Sequence, residues 1–273
     1  MINIKTKEEI EKMREGGAIL SKVLREVLNS IKPGVSEIEI DQLAEKLIFQ
    51  NGAEPGFKKV PGYNYSICVS TNDVVVHGIP TEYKFKEGDV VGIDCGVFYK
   101  GFHTDMAETI LVLGQKSTRS ASSGQEGPLR SEASKTQNDI EIDKFLEIGR
   151  RALDAGIKKA VAENRVGHIS QAIEKTVVGS GYSVVKTLVG HGVGRELHED
   201  PEVPGYLATK LEKTPVLKVG MTIAVEVIYN MGSDEVMYKG EDNWTIATGD
   251  ESLAGLFERT IAITDGQPLI LTQ

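Results

Sequence analysis

Two early segments of the chain carry apolar residues at helical spacing. Thr6 and Glu9 form a capping-box pattern ahead of an apolar stripe that runs through residues 10–28. Ser36 and Glu39 repeat the pattern ahead of a second, shorter stripe. In such a box each side chain bonds the other residue's backbone N–H, which satisfies two donors at a helix start. The pattern therefore predicts two helices near the beginning of the chain.

The pattern of the remaining chain alternates between strands and helices. Runs rich in β-branched residues and bounded by Gly, Pro or Asp predict strands, and two longer apolar stripes predict helices. The predicted strands cover residues 65–70, 74–78, 89–99, 108–113, 183–189, 222–229, 245–247 and 260–264, and the predicted helices cover residues 140–162 and 169–178. This order predicts a mixed α and β fold.

A polar segment, residues 115–138, separates the two halves of this pattern. It holds almost no large apolar side chain and is rich in Ser, Gln, Lys and Glu. A segment of this composition buries too little apolar surface to fold alone. We therefore expect a flexible insertion at about 115–138, which a domain tolerates because the entropy of loop closure grows slowly with length.

The second half of the chain repeats the first in outline. KEGDVVGID, which ends at Asp94, matches KVGMTIAVE, which ends at Glu226, and a His-Gly pair precedes each match, at His77 and at His191. The acids that follow downstream are Asp105 and Glu258. The repeated order predicts two related halves that face each other around one site.

Four acids interrupt or begin these apolar, β-rich segments. Asp and Glu are seldom buried unless they are paired, protonated or bound to a cation. Several like charges held close together in a sheet repel one another, and a divalent cation resolves that repulsion. We therefore expect a metal to bind among these acids, which are Asp94, Asp105, Glu226 and Glu258.

Histidines are concentrated near the same positions. His191 and His198 flank a glycine-rich turn, which lets a backbone pass close to a ligand, and His77 lies in the matching half. His103 precedes one of the acids by two residues and can support the metal ligands from behind. His168 stands at a predicted helix start and is expected to be structural.

One histidine and four carboxylates form an oxygen-rich ligand set. They are too few for two separate centres unless some carboxylates bridge, so a dinuclear centre is the economical interpretation. Such a centre lowers the pKa of a bound water and polarises a carbonyl for hydrolysis. A purely structural zinc site would use Cys and His instead.

Charge and composition narrow the function further. The net charge of −9 argues against a general nucleic-acid-binding surface. No apolar run approaches the ~18 residues that a bilayer span requires, and residues 1–17 contain no apolar signal region. Cys68 and Cys95 each lie in an apolar stretch, where a buried thiol is expected rather than a disulfide. We therefore expect a cytoplasmic protein without a membrane partner.

Five spaced motifs resemble the type I methionine aminopeptidases, and the resemblance covers nearly the whole chain. The motifs are VVVHGIP, GIDCGVFYKGFHTDMAET, VGHGVGRELHEDPEVPGY, GMTIAVEV and LFERTIAIT. The resemblance implies the pita-bread fold, an α/β (α+β) arrangement in which two halves related by a pseudo-twofold axis surround a curved antiparallel sheet with helices outside. It also implies a single catalytic domain over residues 1–273, with the polar insertion inside it.

The resemblance assigns the metal ligands individually. It implies that Asp105 and Glu258 bridge two metals, that Asp94 binds the second, and that His191 and Glu226 complete the first. The ions are divalent, and such ligands accept Co, Mn, Fe or Zn.

The resemblance also implies the catalytic and substrate-binding residues. His77 and His198 contact the scissile peptide and its tetrahedral intermediate, and Glu226 also relays the proton of the attacking water. The residues that match the methionine pocket are Tyr63, Cys68, Leu197 and Trp244. Two positions depart from the pattern of relatives, where an aromatic residue often replaces Leu197 and a histidine replaces Arg259.

By the same resemblance the enzyme removes the initiator methionine from nascent proteins when the next residue is small. Its implied partners are nascent polypeptide N-termini, with a transient ribosome contact, and a monomer is expected. Two alternatives stay open at this point. One is an Xaa-Pro aminopeptidase or dipeptidase on the same fold, and the other is a catalytically dead binding paralogue. The five ligand-competent side chains favour an active enzyme over the second alternative.

Overall fold

The structure, a computed structural model, describes residues 2–114 and 136–273. Within these ranges four α-helices occur, and they are α1 (Lys7–Ser30), α2 (Glu37–Gln50), α3 (Gln137–Ile157) and α4 (Val166–Val178). None of the helices in the described ranges is long and apolar enough to cross a bilayer.

The two early helices begin where the sequence predicts. The Thr6 hydroxyl accepts a hydrogen bond from the Glu9 N–H at 3.2 Å, and the Glu9 carboxylate accepts one from the Thr6 N–H at 2.9 Å. Ser36 and Glu39 form the same reciprocal pair ahead of α2. Both capping boxes are therefore confirmed.

The two later helices begin earlier than predicted. Thr136 caps α3 through a further capping box, with Asp139, which an apolar stripe alone does not reveal. The N–H of Arg165 donates to Nδ1 of His168 at 2.9 Å, so His168 caps α4 and has the structural role expected of it. α3 ends at Ile157 instead of continuing to position 162, because the chain turns there and the Ala160 N–H bonds the Ile157 carbonyl.

The polar segment falls mostly outside the described residues. Residues 115–135 are not described, so the predicted flexible insertion stays a prediction. Residues 136–138, which the prediction also assigned to the insertion, form the cap and the first two residues of α3.

Thirteen strands occur in the described ranges. They are β1 (Glu54–Pro55), β2 (Ile67–Thr71), β3 (Val74–Val76), β4 (Val90–Tyr99), β5 (Phe102–Leu111), β6 (Ser183–Val184), β7 (Gly190–Gly192), β8 (Glu199–Val203), β9 (Thr222–Asn230), β10 (Val236–Tyr238), β11 (Ile246–Thr248), β12 (Ala254–Ala262) and β13 (Leu269–Ile270). Two are much longer than predicted, since β5 starts before position 108 and β12 starts before position 260. The first residues of β12, Ala-Gly-Leu-Phe, have no β-branched side chain and join the sheet because they pair with β9.

One antiparallel sheet joins the two halves of the chain. Its main path runs β1, β4, β5, β12, β9, β7, β8, while β2 extends from β4, β6 from β9 and β13 from β12. A smaller sheet of β10, β11 and β3 lies beside it. The central strands β4 and β5 come from the first half, and β12 and β9 from the second. The expected antiparallel sheet shared by two halves is confirmed.

The strand register tests the predicted repeat directly. Asp94 lies opposite Ala107, Ala107 opposite Glu258, and Glu258 opposite Glu226, so these four residues form one row across four strands. A twofold exchange of the halves therefore superimposes Asp94 on Glu226, as the sequence match predicts. The same exchange superimposes Glu258 on Ala107. The sequence analysis matched Glu258 with Asp105, so that match is wrong by two positions along β5.

The helices cover one face of the sheet. In the first half, residues of α1 and α2 pack on Ile93, Cys95 and Val97 of β4. In the second half, residues of α3 and α4 pack on β9 and β12, including Val225 and Phe257. Since side chains alternate along a strand, the neighbouring acids of β4, β9 and β12 point to the opposite face. The fold thereby separates an apolar face under the helices from a face that carries the acids.

Candidate metal centre

All five expected metal ligands lie on the face of the sheet away from the helices. Asp94, Glu226 and Glu258 share the row described above, and Asp105 lies two residues from it on β5. His191 of β7 is opposite Ala224, two residues from Glu226, and therefore points the same way. Residues from five strands are thus brought to one place by register alone.

The distances within this group suit a shared cation. Nε2 of His191 lies 3.5 Å from Oε1 of Glu226 and 4.0 Å from Oδ2 of Asp105. Ligand atoms of Asp105, His191 and Glu258 all lie within 4.8 Å of one another. Oδ1 of Asp94 and Oε1 of Glu258 are buried without a hydrogen-bond partner. A buried carboxylate oxygen without a partner is costly, and a cation would satisfy it, so these residues fit a metal site.

The electrostatics of the acids point the same way. Burial raises the pKa of Asp105, and the neighbouring charges of Asp94 and Glu226 raise it further. Burial raises the pKa of Glu258, with added repulsion from the other acids. Burial also raises the pKa of Asp94 and of Glu226. Without a cation the group therefore holds protons, and a bound cation would release them.

His191 presents the ring nitrogen that a metal requires. Its Nδ1 lies 2.8 Å from the carbonyl oxygen of Gly192, which places the ring proton on Nδ1 as a donor. Burial, and next the charge of His198, lower the pKa of His191 to about 4. The ring is therefore neutral near pH 7, and the lone pair of Nε2 faces the acids.

The two histidines expected to contact the substrate line the same cavity. His77 follows β3 with a φ of 55°, a left-handed conformation that is uncommon for a residue with a side chain. Burial, followed by His198, lowers its pKa to about 4. His198 lies closer to solvent, and its ring centroid is 4.4 Å from that of His191. Both imidazoles are neutral near pH 7 and can donate or accept one hydrogen bond at each nitrogen.

The cavity has a volume of about 480 Å³ and joins the acids to an apolar recess. The four residues expected to form the methionine pocket meet there. Tyr63, Cys68 and Leu197 belong to one buried cluster, and Trp244 packs against it. The Tyr63 hydroxyl donates to the Ile67 carbonyl at 2.8 Å, which leaves its oxygen free to accept from the Cys68 thiol at 3.2 Å. The recess is therefore largely apolar, and the Tyr63 hydroxyl and the Cys68 thiol are already paired.

Phe57 is a member of this recess that the sequence analysis missed. It packs in the cluster with Tyr63 and lines the cavity. A Cβ atom at Gly96 of β4 would lie 2.6 Å from the Phe57 ring, so only glycine leaves room for the ring. The glycine beside Cys95 in the sequence is the signal that an aromatic side chain approaches the strand.

The glycines on either side of His191 lie close to neighbouring protein backbone. A Cβ at Gly190 would lie 2.5 Å from the Ala224 carbonyl oxygen, and one at Gly192 would lie 2.2 Å from that of Asp200. These glycines therefore allow the backbone of β7 to approach neighbouring protein backbone. That the turn lets a backbone pass close to a ligand stays a prediction.

The loop between β7 and β8, residues 193–198, is tied to the start of the chain. Nζ of Lys5 contacts the Glu199 carboxylate, and the two side chains are 1% and 3% exposed. Arg195 pairs with Glu9 at the first turn of α1. Burial acts to raise the pKa of Glu199, but bonds from Lys5 and Asn3 bring it below the usual range. The sequence analysis did not anticipate this role of Lys5, because a lone lysine carries no motif.

Two further residues flagged in the sequence lie on the same strands as two of the acids, Arg259 on β12 and His103 on β5. Arg259 donates to the carbonyls of Ala107 and Glu258 and to the Glu108 carboxylate. None of these bonds uses a carboxylate oxygen of the expected metal ligands. His103 is buried on β5, its Nδ1 has no hydrogen-bond partner, and it does not belong to the cavity lining. Its predicted support of the metal ligands stays a prediction.

Comparison with known proteins gives the family. Residues 11–265 match the model of metallopeptidase family M24. A methionine aminopeptidase of Clostridium perfringens is 39% identical over 272 residues, which cover 100% of this chain and 99% of that protein. The crystal structure of a methionine aminopeptidase from Thermotoga maritima superimposes with a TM-score of 0.87 at 38% identity, covering 100% of both chains. A prolidase from Pyrococcus furiosus shares the fold, with a TM-score of 0.72, 24% identity and 65% of its length covered.

Proposed function

We infer, since the chain belongs to metallopeptidase family M24 and within it to the methionine aminopeptidases, that the site described above releases an N-terminal methionine by hydrolysis. The chain is accordingly a metalloaminopeptidase. The observation that carries the proposal for the site is the meeting of five metal-ligand side chains, from five strands, beside one apolar recess.

The proposed metal centre contains two divalent ions. Asp105 and Glu258 would bridge them, Asp94 would bind one ion, and His191 with Glu226 would bind the other. When bound, the ions supply Lewis acidity, which polarises the scissile carbonyl and lowers the pKa of the attacking water. Carboxylate and imidazole ligands accept Co, Mn, Fe or Zn, so the native metal depends on supply in the cell.

The protein's own groups perform the remaining steps. Glu226 would accept the proton of the attacking water, a role supported by its place in the cavity lining beside the other expected ligands. His77 and His198, neutral near pH 7, would donate hydrogen bonds to the peptide as negative charge develops on its carbonyl oxygen. The proton then passes to the nitrogen of the leaving amine, and the peptide C–N bond breaks. The products are free methionine, with a new carboxylate, and the shortened peptide.

The recess would hold the methionine side chain. An unbranched thioether suits an apolar lining of aromatic and aliphatic groups. Tyr63, Cys68, Leu197 and Trp244 provide such a lining, and Phe57 extends it. The Xaa-Pro alternative is not favoured, since full-length similarity is to methionine aminopeptidases and the likeness to prolidases concerns the fold.

The biological setting proposed for the enzyme follows from its substrate. Nascent polypeptide N-termini are the source of initiator methionine, which supports action in the cytoplasm and a brief contact with the ribosome. We propose a monomer. We also propose one catalytic domain over residues 1–273, supported by the two sheets of the described residues, each of which joins strands from both halves.

Peptide hydrolysis tests this proposal. The enzyme loaded with Mn²⁺ or Co²⁺ should release methionine from Met-Ala and Met-Gly peptides, and chelation should abolish the release. Met-Leu and Ala-Pro peptides, the first with a large second residue and the second a prolidase substrate, should be cleaved at least about a hundredfold more slowly. Preferential cleavage of Ala-Pro, or release that survives removal of the metal, would overturn it.

A further inference from the structure

The two halves of the site meet where β5 and β12 pair, and this pairing is short. The directly paired residues are Ala107 with Glu258 and Met106 with Arg259. In the same register, Asp105 lies opposite Thr260 just beyond one end of this ladder. Thr109 lies opposite Leu256 beyond the other end. We call residues 105–109 of β5 together with residues 256–260 of β12 the seam.

A threonine hydroxyl closes each end of the seam. At one end, the hydroxyl of Thr260 accepts from the Asp105 N–H at 2.8 Å and donates to the Asp105 carbonyl at 2.8 Å. At the other end, the hydroxyl of Thr109 accepts from the Leu256 N–H at 3.0 Å and donates to the Leu256 carbonyl at 2.8 Å. Both threonines are at most 1% exposed. The twofold exchange that superimposes Glu258 on Ala107 also superimposes these two threonines.

We propose that Thr260 is a positioning residue for the metal centre, because it fixes the backbone of Asp105 from both sides. This inference rests on the proposed role of Asp105 as a metal ligand. Once its backbone is fixed, Oδ1 of Asp105 accepts the N–H of Met106 at 3.1 Å, which leaves Oδ2 on the side of His191. One hydroxyl therefore sets which oxygen of Asp105 faces the metal position.

Thr260 can hold Asp105 because its own backbone is held in turn. Its N–H donates to the hydroxyl of Thr272 at 2.9 Å, and its carbonyl accepts from the N–H of Leu271 at 2.9 Å. Every polar group of Thr260 is thereby paired inside the protein. Thr109 gives the same kind of support, but it fixes Leu256, whose side chain is not a metal ligand.

This near symmetry supplies a matched pair of variants. Thr260→Val removes the hydroxyl at nearly constant volume and leaves the N–H and carbonyl of Asp105 unpaired. Thr109→Val does the same to Leu256. The two variants should lose similar amounts of thermal stability as apoproteins, because each leaves two buried backbone groups without partners. Only Thr260→Val should also disturb a ligand.

The measurement is metal affinity of the apoprotein, by calorimetric titration with Mn²⁺. We expect Thr260→Val to weaken binding roughly tenfold or more, as loss of a group that orients a ligand usually does. Thr109→Val should stay within about twofold of the unchanged protein, and Thr260→Ser, which retains the hydroxyl, should restore the affinity. If the valine variants do not fold, Thr260→Ala and Thr109→Ala replace them in the same comparison.

Asp105→Asn distinguishes failure of this inference from failure of the proposed function. If Asp105→Asn leaves Mn²⁺ affinity unchanged, Asp105 is not a ligand and the proposed centre is wrong. A different result refutes only the positioning role of Thr260. In that case Asp105→Asn weakens Mn²⁺ binding, so the proposed centre stands. The variants Thr260→Val and Thr109→Val, however, either weaken binding to the same extent or do not weaken it.

Discussion

His191 and His198 lie with their rings 4.4 Å apart, yet the proposal gives them different tasks. A ligand helps to hold the cation that neutralises the acids, so its removal leaves the carboxylates with a weakly held cation. A hydrogen-bond donor to the reacting peptide matters only while charge develops there. Metal content and turnover therefore separate the two roles.

His191→Ala should lower both metal occupancy and activity. His198→Ala and His77→Ala should keep the metal and each lose roughly a hundredfold in kcat, the scale of one lost donor to a tetrahedral intermediate. Metal content by mass spectrometry, measured beside kcat on a Met-Ala peptide, provides the comparison.

His168→Ala serves as the control for this series, because His168 caps α4 outside the cavity and should affect neither quantity. Loss of metal from His198→Ala with full retention in His191→Ala would reverse the assignment of the two histidines.

At the residue scale, the site residues that could be predicted from the sequence are those whose side chains conflict with the neighbouring residues in the chain. Acids in apolar strands need a compensating partner, so Asp94 and Glu226 were recognisable without a structure. Phe57 was not, because an aromatic residue in a loop is chemically unremarkable until the sheet brings Gly96 beneath it. Residues that act through shape need the fold before they can be identified.

At the element scale, the segment before α1 supports the loop that carries Leu197 and His198. The Lys5 N–H donates to the Gly220 carbonyl at 2.8 Å, which anchors the segment on the second half of the molecule. The Lys5 side chain then reaches Glu199, directly after His198. Because both charges are buried, each depends on the other to remain there.

Lys5→Met should therefore leave Glu199 charged and without its cation. We expect the free energy of unfolding to fall by about 3–5 kcal/mol, and kcat/KM for a Met-Ala peptide to fall more than about tenfold while metal content is unchanged. Denaturant unfolding and steady-state kinetics on the same preparation test this.

Lys100→Met is the matched control, since Lys100 pairs with Glu15 at the surface, where the side chains are 49% and 40% exposed. Its unfolding free energy should change by no more than about 1 kcal/mol. The double variant Lys5→Met with Glu199→Gln should recover part of the loss. Full activity in Lys5→Met alone would show that the loop holds its shape without this contact.

The starts of α1 and α2 were predicted best, because a capping box is a local interaction between residues three apart. Strand limits were predicted less well. β12 extends back to Ala254 through pairing with β9, an interaction between distant parts of the chain that local composition does not encode. The same limit explains the error in the repeat, since register across four strands decided which residues are equivalent.

At the scale of the whole molecule, the acid cluster couples stability to pH and metal. A carboxyl whose pKa is raised by folding binds its proton more tightly in the folded protein than in the unfolded chain. Its contribution to stability is therefore present at low pH and is lost as pH rises toward the raised pKa. This applies to Asp105, Glu226 and Glu258, whose pKa values are raised by burial first.

The apoprotein should consequently become less stable as pH rises above about 6.5, because burial raises the pKa of Asp94 to about 7 and raises those of the other three acids well above their usual range. A single group that titrates in this window corresponds to a fall of roughly 2–3 °C in Tm per pH unit for a chain of this length. Bound metal should abolish the fall, because it replaces the protons. Melting curves of the chelated and the Mn²⁺-loaded protein across this range make the comparison.

The histidines change stability with pH in the opposite direction, but they do so below this pH range. Burial, with His198, lowers the pKa values of His77 and His191 to about 4, so their contribution is complete above about pH 6.5 and is lost as pH falls. Glu258→Gln in the apoprotein should reduce the slope above pH 7. An apoprotein whose Tm rises from pH 7 to pH 9 would contradict the idea that the acids hold protons in the absence of metal.

The contact between Lys5 and Glu199 joins residues that are 194 positions apart in the chain. At a synthesis rate of about 5–20 residues per second, roughly 10–40 s pass between the two leaving the peptidyl-transferase centre. Throughout that interval the first helices of the chain can pair with one another, while the buried lysine has no carboxylate to meet. The loop that carries His198 thus receives its support from the segment made first, and that support is absent until Glu199 has been made.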